Sequence, residues 1–122
     1  MLKKYGFAAA LLLAGTVPSF ADDTCQVPPT PAALDGATAT ADQMRAGIAA
    51  FNAFSKASDA YQQCVNDYIT AQNAAADKDK KPHDTAMIQA EGDKVTANQT
   101  AKEKAGADLN ASIGVYKKAH PG

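Results

Sequence analysis

The sequence predicts an all-α protein: a long antiparallel two-helix hairpin with an extended Pro-rich N-terminal arm stapled to it by one disulfide. Three observations carry that prediction. Apolar residues recur at three- and four-residue steps from Met44 to Tyr68, broken by Ser58, and a second stripe, weak in its middle, runs from Met87 to Tyr116, the pattern that lines one face of an α-helix. A short charged stretch ending at Pro82 separates these segments, and two long helices joined by a short turn fold back on each other. The chain holds two cysteines, Cys25 and Cys64, and exported chains with a small even number of cysteines pair them.

Residues 1–21 read as a cleaved secretory signal peptide. Met1 to Lys4 is a basic start, Tyr5 to Val17 an apolar run, and Ser19 and Ala21 are the small residues a signal peptidase needs before Asp22. The apolar run is about 13 residues, short of the roughly 20 that span a bilayer. Cys25 follows Asp22-Asp23-Thr24, which does not suit lipoprotein processing. The expected product is a soluble periplasmic or extracellular chain from Asp22, with no stable membrane insertion after cleavage.

That product keeps Arg45 and nine lysines against thirteen acids, a net charge of −3. So mild a balance points to no nucleic-acid or anionic-membrane partner. Alanine is abundant, Trp is absent and large apolar residues are few. A domain of this size with so thin a core is marginal on burial alone and needs a staple, an oligomer, or both.

Residues 22–39 form the arm. Pro28, Pro29 and Pro31 forbid helix and favour polyproline II, and Asp35-Gly36 signals a turn. Val27, Pro28, Pro29 and Leu34 are placed to cover the open end of the hairpin. A Cys25–Cys64 bond would close a loop of about 40 residues, worth roughly 4 kcal/mol in the chain-entropy model. Its spacing is far from the Cys-x-x-Cys of redox proteins.

The hairpin occupies residues 40–118. The first helix, about 40–78, opens on a capping box, Thr40 with Gln43. Met44, Ile48, Phe51, Phe54, Ser58, Tyr61, Val65 and Tyr68 form its stripe. Residues 79–83 are a solvated turn. The second helix, about 84–118, is capped by Asp84, and its stripe of Met87, Ile88, Val95, Ala105, Leu109, Ile113 and Tyr116 is interrupted by Glu91, Asn98 and Lys102. With the turn centred near Lys81, facing residue numbers sum to about 161. Ile113 then faces Ile48, Leu109 lies near Phe51, Tyr116 near Met44 and Val95 near Val65.

Residues that could carry chemistry are scarce. His83 and His120 lie in the turn and at the tail, where neither is a positioned base of the kind a catalytic set needs. No catalytic residues are expected, and the chain is read as not an enzyme. Asp77 and Asp79 start like a calcium loop, but Lys81 occupies the next ligand position and no Gly or terminal Glu follows. His83 with Met87 is a lone pair of soft ligands. No metal set and no cofactor are expected. Asn98-Gln99-Thr100 and Asn110-Ala111-Ser112 are sequons that mean little behind a bacterial-type leader.

The functional expectation is an exported, alanine-rich, coiled-coil-like hairpin acting by protein contact, as an envelope or surface accessory or a homodimer. Phe54, Tyr61, Val65 and Tyr68 are its candidate interface. The alternative is a carrier of a small ligand or metal in a helical bundle, with its site near Met44 and Phe51 or near His83 and Met87.

Overall fold

A computed structural model describes residues 25–121. The expected leader lies outside the described residues. The architecture is two packed helices, α1 (Ala41–Lys78) and α2 (Thr85–Ala119), with an extended arm before them. No strand occurs among the described residues.

The ends of the helices follow their capping chemistry. Gln43 N donates to Thr40 Oγ1 at 3.1 Å and Thr40 N to Gln43 Oε1 at 2.8 Å, which completes the capping box. Met87 N donates to Asp84 Oδ1 at 3.0 Å. The C-terminus of α1 closes differently from the usual glycine stop. Lys80 adopts φ 57°, its N–H donates to Asp77 O, and Lys81 N–H donates to Ala76 O at 2.8 Å. This is a Schellman closure with a lysine in the left-handed position. Across the turn, His83 Nε2 sits 2.7 Å from Asp77 Oδ1.

The helices pack antiparallel. Lys102 Nζ reaches Asp59 Oδ1 at 2.6 Å and Gln62 Nε2 reaches Gln99 Oε1 at 3.1 Å, in the register the sequence predicts. Met44, Phe54, Tyr61 and Val65 of α1 are buried, with Val65 fully enclosed. The contribution of α2 is unlike this. Its two buried side chains are Glu91 and Asn98, the polar residues that interrupt its stripe. Ile88, Val95, Leu109 and Ile113 are only half-buried.

The disulfide joins Cys25 to Cys64, with Cα atoms 5.7 Å apart. From Thr40 to Cys64 helix α1 rises about 36 Å, so the arm must cover roughly 2.4 Å per residue, which requires extended backbone. The arm therefore runs antiparallel to α1. Its return is anchored at the open end of the hairpin. Asp35 O accepts from Thr38 N and Ala39 N, and Asp35 Oδ1 accepts from Ala37 N at 2.9 Å, forming the expected turn. Leu34 inserts against Gly47 of α1, where a methyl group would overlap its side chain. Gly36 is buried on α2, where a methyl group would overlap the Ser112 carbonyl. Ser112 Oγ donates to Leu34 O at 2.7 Å. Val27, expected to help cover the hairpin, is 66% exposed.

Candidate functional site: the polar seam and the surfaces beside it

The middle of the helix seam is a hydrogen-bonded layer. Ser58 is fully buried at the centre of the α1 stripe. Its Oγ accepts from Asn98 Nδ2 at 3.2 Å, and Asn98 Oδ1 accepts from Gln62 Nε2 at 2.8 Å. Buried amides and hydroxyls carry a desolvation cost unless paired, and here each side chain meets another. Closer to the turn, Glu91 is 5% exposed; Lys94 Nζ donates to its Oε1 at 3.0 Å, while Oε2 has no hydrogen-bond partner.

The four expected contact residues divide. Phe54, Tyr61 and Val65 are 4%, 5% and 0% exposed, covered by the chain's own elements. They are core, on the part of α1 that lies between the arm's two anchors at Gly47 and Cys64 and packs on α2. Tyr68 is half-buried and borders a shallow depression with Gln72, Ala76, Pro82 and Met87 near the turn.

A different surface is left open. Along α1, Ile48, Ser55, Gln62 and Ile69 recur every seven residues; Ile48 is 38% exposed and the others are half-buried. On α2, Ile88, Gly92, Val95, Gln99, Gly106 and Ile113 follow at three-, four- and seven-residue steps and are also half-buried. None of these lines the hollows beneath the arm. Together they make a strip with aliphatic ends and a polar middle, where Gln62 meets Asn98 and Gln99. The repeat is that of a coiled-coil flank. By helical spacing alone, Ile48, Val95 and Ile113 belong to the seam itself. The signal that separates seam from flank is angular: Ile48 lies about 80° around the helix from Ser58.

A second feature lies on the other side. Between the arm and the hairpin is a hollow of about 170 Å³. Phe51 of α1 and Leu109 of α2 both line it, which agrees with their expected proximity.

Among the described residues, no group of three or more His, Cys, Asp or Glu is gathered as a metal ion needs. His83 is engaged with Asp77. His120 stacks on Tyr116, with centroids 4.2 Å apart. Both cysteines are in the disulfide. No helix among the described residues is long and apolar enough to cross a membrane.

The arrangement defines a disulfide-clamped antiparallel α-hairpin. No protein-family pattern matches the chain, and comparisons with curated proteins and with solved structures return no match.

Proposed function

We propose that this is an exported, non-enzymatic hairpin that acts by protein contact, as an envelope or surface accessory or as a homodimer. The observation that carries the reading is the open strip. The α2 helix buries Glu91 and Asn98 where a self-sufficient hairpin would bury large aliphatics, and Ile69, Ile88, Val95 and Ile113 remain half-buried along one side. A further helix laid there would bury the aliphatic ends, and the hydrogen-bonded middle would fix its register. The export reading rests on the leader pattern of residues 1–21, and the Cys25–Cys64 disulfide is compatible with an oxidising compartment.

Site-specific photo-crosslinking tests it. A photoreactive residue at position 69 or 95 is expected to give one discrete adduct, with a second copy or with one protein. The same residue at position 60, on an exposed part of α1, should give none. Equal labelling from all three positions, or none from any, rejects the strip as a contact surface.

A further inference from the structure

The hollow between arm and hairpin has a physical reason to stay open. Its roof is Pro31 to Leu34, and its walls include Gly47 and Phe51 of α1 and Ala101 and Ala105 of α2. Ala101 and Ala105 leave the space on the α2 side, Gly47 is filled by Leu34, and Phe51, Leu34 and Leu109 make the hollow apolar. An arm free to move would sink and fill it. This arm is tied at both ends: by Cys25 to Cys64, and at Leu34 by the Gly47 notch and the Ser112 hydroxyl. Pro28, Pro29 and Pro31 stiffen the span between. The hollow measures about 170 Å³ and is open to solvent at its rim; an enclosed apolar cavity of roughly 150 Å³ accepts a benzene ring, so a single ring matches its size. At the rim, Lys104 Nζ pairs with Asp108 Oδ2 at 2.7 Å, which sets a donor and an acceptor beside an apolar floor.

We infer that this hollow is a binding site for a small phenol. The ring occupies the space over Phe51 and Leu109, and the hydroxyl meets the rim, donating to Asp108 and accepting from Lys104. A phenol fits better than a plain hydrocarbon because its hydroxyl can hydrogen-bond the free oxygen of Asp108 and a remaining N–H of Lys104 at the solvent-facing rim without breaking the pair they form with each other. Pinning the arm in advance removes much of the ordering cost of binding. The site is independent of the open strip, so the two proposals stand or fall separately.

The test is a titration of the oxidised full chain with 4-methylphenol, followed by methyl NMR. Saturable shifts are expected on the methyls of Leu34, Ala101, Ala105 and Leu109, from the ring current of the bound phenol. Ala101→Leu fills the hollow and should abolish them. Because that variant could disturb the fold, a second one acts at the exposed rim. Lys104→Gln with Asp108→Asn should weaken 4-methylphenol about tenfold while leaving toluene binding unchanged, since only the phenol uses the rim. Absence of saturation, shifts scattered over the surface, or a folded Ala101→Leu variant that binds like the parent overturns the inference. Equal loss of phenol and toluene in the rim variant overturns the assignment of the hydroxyl.

Discussion

Asn98 of α2 donates from Nδ2 to Ser58 Oγ of α1 at 3.2 Å, and both side chains are buried in the helix seam. Removing the amide leaves a buried hydroxyl without its partner, which costs more than the bond itself is worth. Asn98→Ala is expected to destabilise the protein by about 2 kcal/mol. Asn98→Leu combined with Ser58→Ala should cost less than Asn98→Ala alone, because it removes both polar groups and restores apolar volume. Urea denaturation of the three proteins gives the comparison.

The disulfide acts over a long loop. Cys25 and Cys64 are 39 positions apart, and closing such a loop removes roughly 4 kcal/mol of unfolded-chain entropy. The double variant Cys25→Ser, Cys64→Ser is expected to lose about 3–4 kcal/mol in thermal unfolding. Limited proteolysis should show new cleavage concentrated at the arm end near Cys25. Ser112 and Gly47 continue to hold the other end at Leu34.

The glycines separate two roles. A methyl group on Gly36 would overlap the Ser112 carbonyl, while one on Gly92 meets nothing within 4 Å. Gly36→Ala must lift the arm off α2 and is expected to cost about 2 kcal/mol. Gly92→Ala is expected to gain about 0.5–1 kcal/mol through helix propensity alone. Paired melting curves of the two variants check the contrast.

Lys80 holds a conformation that suits glycine, with φ 57°. Lys80→Gly relieves the steric cost but loosens the unfolded chain, so the expected net gain is about 0.5 kcal/mol. Lys80→Val places a branched side chain in the same position and should cost more than 1 kcal/mol. Melting temperatures of both variants provide the check.

The sequence makes some of these features legible and hides others for physical reasons. Local chemistry reads directly: Thr40 with Gln43, Asp84 before Met87, and Asp35 in its turn are all short-range hydrogen bonds between neighbours. Cys25 and Cys64 are legible because two cysteines permit one pairing. The register follows from the position of Pro82. The Ser112 bond to Leu34 spans 78 positions and leaves no local mark. Gly36 and Gly47 look like helix or turn punctuation, yet their use is close approach between arm and helices. Lys80 gives no sign of its left-handed backbone. Phe54, Tyr61 and Val65 read as a contact surface because a stripe counted along one helix does not reveal which of its residues the folded chain itself buries. The burial of Asn98 and Glu91 reads as weakness in a stripe, when it is a paired polar layer in one case and a buried carboxylate held by Lys94 in the other.

The contact reading is tested most directly on protein isolated from the envelope of the cell that makes it, by non-reducing mass spectrometry with sedimentation. The account predicts a chain beginning at Asp22, two hydrogens lighter than its reduced mass, in a discrete complex with a second copy or one protein companion, and dissociated by Ile69→Asp with Val95→Asp while helix content is kept. A strictly monomeric, highly stable chain with no companion would contradict it.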